Sequence, residues 1–103
     1  MRSSQADAPV CLILITYVAP LDAVDRHMKA HLAWLERGYD ERLFLMSGRR
    51  NPRTGGVIVS RGHQAEVEAL AASDPFVTSG VATIEVVEFN ASWAADEVAA
   101  ALA

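Results

Sequence analysis

The chain is predicted to be a small α+β protein ordered β-α-β-β-α-β, with two main helices on one face of an antiparallel sheet and a short C-terminal helix. Three observations predict it. Apolar, β-branched runs alternate with helical-period segments in that order. Turn formers mark the junctions. The length of 103 residues, 51% hydrophobic and 21% charged, suits one core and one domain.

Residues 10–18 form a continuous apolar run ended by Ala19-Pro20, which reads as a strand apolar on both faces. Residues 1–8 are expected as a frayed, disordered tail, with the domain over 9–103. Residues 21–37 follow with a helical period. Val24, Met28, His31 and Leu35 share one stripe, with Leu21 and Leu32 beside it. Gly38 is the expected C′ residue. Residues 43–47 and 55–60 are two further strands, joined by a loop of turn formers that carries Arg49, Arg50 and Arg53. Residues 63–72 form the second helix, with Val67 and Leu70 inward. Asp74-Pro75 signals a short helical turn, stopped by Gly80. Residues 81–89 are the fourth strand, and Ser92 is placed as N-cap of a helix over 93–101.

This is the order of the split βαβ, ferredoxin-like sandwich. Two helices cover one face of such a sheet, so the bare face should alternate with polar residues. The first three strands do not alternate: Leu43 and Leu45 point one way, Phe44 and Met46 the other. A second apolar face needs cover. The simplest source is the same face of another copy, so a homodimer through the sheet faces is expected, a dimeric α+β barrel.

Charge and cysteine content exclude several classes. A net charge of −4 argues against a nucleic-acid partner, which needs a basic face. The single cysteine, Cys11, excludes an internal disulfide and a cysteine zinc site, and reads as an inert core residue. No run is long enough for a membrane span. The first apolar run is too short for a signal peptide and follows Asp7, so a cytoplasmic location is expected. There is no nucleotide-binding glycine loop and no nucleophile elbow, and no cofactor is expected.

A few residues carry chemistry. His31 lies on an apolar stripe, either as a satisfied core histidine or as an imidazole placed for proton transfer. His27 is one turn earlier, but no third ligand follows, so no metal site is expected. Asp74 caps a turn, and either does only that or also orients an imidazole. The two are expected to be direct partners, because the first helix and the turn after the second lie over the same sheet face. The arginine loop is either a solvated hairpin end or an anion clamp at a pocket mouth. Ser47-Gly48 ends the second strand, where glycine admits a close approach.

Taken together, these residues resemble the YciI-like (YCII-related) family. The resemblance rests on His31 in Ala30-His31-Leu32, Ser47-Gly48, Gly55-Gly56-Val57, Asp74-Pro75-Phe76 with Gly80, and Glu88-Phe89, and it covers residues 10–89. It implies a dimeric ferredoxin-like protein with His31 and Asp74 as a catalytic dyad at a pocket between helices and sheet. Ser47, Gly48, Arg49 and Phe76 are the expected substrate-binding positions. Family members are mostly without assigned activity, and some are linked to dehydrochlorination of chlorinated hydroxyquinols. The chain departs from the pattern at Arg49, where the family often has proline, and over residues 39–42. The expected function is a cofactor-independent isomerase, lyase or dehydrochlorinase-like enzyme on a small molecule. The alternatives are a non-catalytic small-molecule binder or stress-linked accessory protein, and an interaction module.

Overall fold

The computed structural model describes residues 3–103. Among the described residues the fold is α+β, with a four-stranded antiparallel sheet and five helices. The elements are β1 (Ser3–Tyr17), α1 (Leu21–Asp25), α2 (Met28–Asp40), β2 (Phe44–Arg49), β3 (Gly55–Arg61), α3 (Gln64–Ala72), α4 (Pro75–Thr78), β4 (Ala82–Ala95) and α5 (Asp96–Leu102). The strand order is β2-β3-β1-β4.

β1 is an inner strand whose residues 10–15 are all buried or half-buried, in keeping with a sequence apolar on both faces. On one face Ile13 lies opposite Ile58 of β3 and Val86 of β4. Trp34 of α2, Val67 and Ala71 of α3 and Phe76 of α4 complete this core, with Val24 and Phe44. Each large apolar side chain buried here contributes roughly 1.5–3 kcal/mol. On the other face Leu12 lies opposite Val59 and Val87, and Val10 opposite Phe89. α5 covers one end of that face and leaves an apolar cavity of about 370 Å³, lined by Met46, Val59, Phe89, Trp93 and Val98 among others. Met46, Val87, Phe89 and Trp93 remain exposed.

Several boundaries differ from the sequence expectations. The expected tail is strand from Ser3 onward, paired with the end of β4 across a bulge between Gln5 and Ala8. A ladder to β4 satisfies backbone groups that a tail leaves to water. Met1 and Arg2 lie outside the described residues. The expected single helix over 21–37 breaks at Arg26 and His27, and its second part continues to Asp40. The buried face of α2 is therefore His31, Trp34 and Gly38, while Leu32 is 50% exposed. Gly38 is not a C′ residue. A Cβ there would lie 2.1 Å from the Phe44 ring, so glycine serves close packing inside the helix. Ser92 is not an N-cap. Strand pairing carries β4 to Ala95, and α5 starts at Asp96.

Candidate functional site

Asp74 is held by its own turn. It caps α4 with Pro75 at the next position, and its Oδ1 accepts the Phe76 N–H at 3.0 Å. Its own N–H donates to the Ala71 carbonyl at 3.1 Å. The residue is 1% exposed. A carboxylate so tied has one orientation, and α2 brings His31 to it: His31 Nδ1 lies 2.8 Å from Asp74 Oδ1. Asp74 Oδ2 is buried with no partner among the described residues, so the hydrogen bonding of this carboxylate falls on Oδ1.

The imidazole is locked by its neighbours. It stacks on Phe76 with ring centroids 4.0 Å apart and planes 9° from parallel. Trp34 lies one helical turn further on, 5.9 Å away and tilted by 28°. The Trp34 Nε1–H donates to Ser73 Oγ at 3.0 Å, and Ser73 Oγ–H donates to the Leu70 carbonyl at 2.6 Å. Two polar contacts, three residues apart on α2, thus seat the helix on residues 73 and 74. Sequence reasoning assigned Trp34 no role. Its spacing of three from His31 and the need of a buried indole N–H for an acceptor were the available signals.

His31 lines an apolar cleft of about 320 Å³ between α2 and the sheet. Ile15, Tyr17, Leu35 and Phe76 supply much of its surface. Ser47, Gly48 and Arg49 of β2 also line it. Five of the six expected site residues therefore meet in one cleft. Asp74 is absent from the lining and lies behind it, bonded to two residues that do line the cleft, His31 and Phe76. Ser47 Oγ is hydrogen-bonded to Tyr39 Oη at 2.7 Å. A Cβ on Gly48 would meet nothing within 4 Å, so space is open beside it. At Gly55 a Cβ would lie 1.8 Å from the Ile15 carbonyl oxygen, which is why β3 approaches β1 so closely at the cleft wall.

The three loop arginines separate. Arg50 Nη1 donates to Thr16 Oγ1 at 3.3 Å. Arg53 Nη2 donates to Asp25 Oδ1 at 2.6 Å and its guanidinium lies 5.8 Å from the Tyr17 ring centroid. That hydrogen bond holds the Asp25 carboxyl below its usual range, with added attraction from Arg53 and Arg49. Arg49 alone of the three lines the cleft. Elsewhere, Cys11 is buried with Sγ–H donating to the Gly62 carbonyl at 3.3 Å, and burial followed by Glu88 and Glu68 pushes its thiol up. Among the described residues no three His, Cys, Asp or Glu side chains group as a metal site, and no helix is long and apolar enough to cross a membrane. His27 precedes α2 at its N-cap position.

The described residues thus form an α+β domain with a buried imidazole–carboxylate pair beneath an apolar cleft. The chain belongs to the YCII-related domain family, which matches residues 10–90. Its fold is similar to that of 5-chloro-2-hydroxyhydroquinone dehydrochlorinase (TftG) from Burkholderia phenoliruptrix AC1100, solved in complex with 2,5-dihydroxybenzoquinone. The TM-score is 0.66 at 21% identity, over 78% of this chain and 92% of that one. No curated protein matches the sequence significantly.

Proposed function

We propose that the chain is a cofactor-independent enzyme that moves a proton on a small molecule, with His31 as general base and acid and Asp74 as its positioning residue. The observation that carries this reading is the 2.8 Å contact between His31 Nδ1 and Asp74 Oδ1 beneath an apolar cleft. Donation of the Nδ1 proton to the carboxylate selects one tautomer and leaves Nε2 as the basic nitrogen. Phe76 stacks on the ring and keeps it in place. Ser47, Gly48 and Phe76 serve as substrate-contact positions on the cleft wall.

The cleft volume of about 320 Å³ lies at the low end of the roughly 300–1,000 Å³ typical of ligand pockets. It suits a compound of about one ring. The substrate of TftG, by its name, is a chlorinated hydroxyhydroquinone. Loss of HCl from such a ring is proton chemistry throughout. One O–H proton moves to the ring carbon that bears chlorine, a second O–H loses its proton, chloride leaves that carbon with its bonding electron pair, and the ring electrons rearrange to a quinone. No external oxidant or reductant is needed. Isomerisation or elimination on a related ring or carbonyl compound needs the same base.

The sheet order β2-β3-β1-β4 fits the ferredoxin-like arrangement. α5 covers one end of the outer face, and Met46, Val87 and Phe89 stay exposed. These exposed side chains support a homodimer paired through the sheet faces as the working form. Sedimentation at micromolar concentration checks it, and a monomer alone refutes it.

The function is tested by chloride release from 5-chloro-2-hydroxyhydroquinone with no added metal or nucleotide. The wild type is expected to release chloride, and His31→Gln to lose roughly 100-fold or more. Undiminished release by His31→Gln refutes the base. Binding in the cleft without turnover on this or related ring compounds favours a non-catalytic small-molecule binder.

A further inference from the structure

The geometry points to Arg49 as the residue that selects a substrate: it makes the cleft specific for a one-ring compound carrying an ionised oxygen group, a phenolate, enolate or carboxylate. This rests on the reading of the cleft as the ligand site, and concerns which molecule enters it rather than what His31 does there.

Four observations carry it. Apart from His31, Arg49 is the one basic side chain among the residues lining the cleft, and no carboxylate lines it. The chain as a whole has a net charge of −4, so this site is locally opposite in sign to the molecule around it. The neighbouring arginines are committed to the protein: Arg50 to Thr16, and Arg53 to Asp25 at 2.6 Å. Asp25, whose carboxyl feels Arg49 electrostatically, is therefore already paired through Arg53. Finally, the register puts Ser47 opposite Ile58 and Arg49 opposite Gly56, two residues apart and so on one face of β2. Gly56 has no side chain to lie across the Arg49 stem. The guanidinium keeps its donors for a ligand, beside the open space at Gly48.

A guanidinium at the wall of an apolar cleft discriminates by charge. A ring with an ionised oxygen gains a charge-assisted hydrogen bond, and its neutral isostere gains none. Ring burial against Ile15, Leu35 and Phe76 is the same for both.

Benzoate and benzamide are suitable probes, because they share a ring and differ in charge. Dissociation constants are measured by NMR titration at neutral pH on the intact protein, with shifts of cleft resonances locating the site. The wild type is expected to prefer benzoate by about tenfold. Arg49→Gln should bring the ratio close to one while leaving benzamide affinity unchanged, and Arg50→Gln should keep the wild-type ratio. Added salt should weaken benzoate binding alone. No wild-type preference, a preference that survives in Arg49→Gln, or failure of both probes to bind in the cleft overturns the assignment. The ratio requires no turnover, so it stands or falls apart from the catalytic role of His31.

Discussion

Removal of Asp74 should cost far more than the loss of a helix cap, and a double-mutant cycle with His31 measures the excess. Asp74 is 1% exposed and its Oδ1 accepts two hydrogen bonds, from Phe76 N at 3.0 Å and from His31 Nδ1 at 2.8 Å. Asp74→Ala removes the cap, worth about 1 kcal/mol. It also leaves the His31 Nδ1–H buried without an acceptor, at about 1–3 kcal/mol. The expected loss is about 2–4 kcal/mol, or a fall in Tm of roughly 10–25 °C for a domain of this size. His31→Leu leaves the same carboxylate underpaired and should cost a comparable amount. The double variant leaves neither group orphaned. It should therefore be more stable than the sum of the two losses predicts, by about 1.5–3 kcal/mol. Urea unfolding at one fixed protein concentration reads all four proteins. Additivity within about 0.5 kcal/mol would refute the pairing as an energetic unit, and with it the main support for a held imidazole.

Four other perturbations separate structure from site. Gly55→Ala drives a methyl into the Ile15 carbonyl and should unfold the protein or cost at least about 2 kcal/mol. Gly48→Ala, with nothing near its Cβ, should melt within about 0.5 kcal/mol of wild type but weaken ring-compound binding in the titration. The Cys11 thiol, buried and pushed up, should resist a thiol reagent in the native protein and react at once in denaturant; fast native labelling refutes its burial. The Asp25 carboxyl is lowered in the folded state, so its contribution is present above its unfolded value and lost as pH falls through the folded one. Wild type should then be more stable than Asp25→Asn at neutral pH, with the gap closing in acid; a gap that grows in acid refutes the Arg53 pairing.

The element order and most of the candidate site are legible in the residues alone. The run around Ile13 is apolar on both faces, and residues 10–15 are buried or half-buried on both, a match visible in side chains alone. Asp74-Pro75 marks a capped turn because both signals are local, and His31 stands out because an imidazole on an apolar stripe needs a partner. Tertiary structure decided what local signals do not carry. Gly38 reads as a helix end but is interior, because Phe44, six residues on, folds back over it. Ser92 reads as a cap but sits in a strand, because residues 3–8 pair with the end of β4, and a ladder of backbone hydrogen bonds outweighs one cap. The break at Arg26 and His27 interrupts the single helix expected over 21–37, and in α2 the buried positions are His31, Trp34 and Gly38 while Leu32 is exposed. Arg49, Arg50 and Arg53 look equivalent in the chain. Only the positions of Thr16 and Asp25, distant in sequence, commit two of them to the protein and leave Arg49 to the cleft.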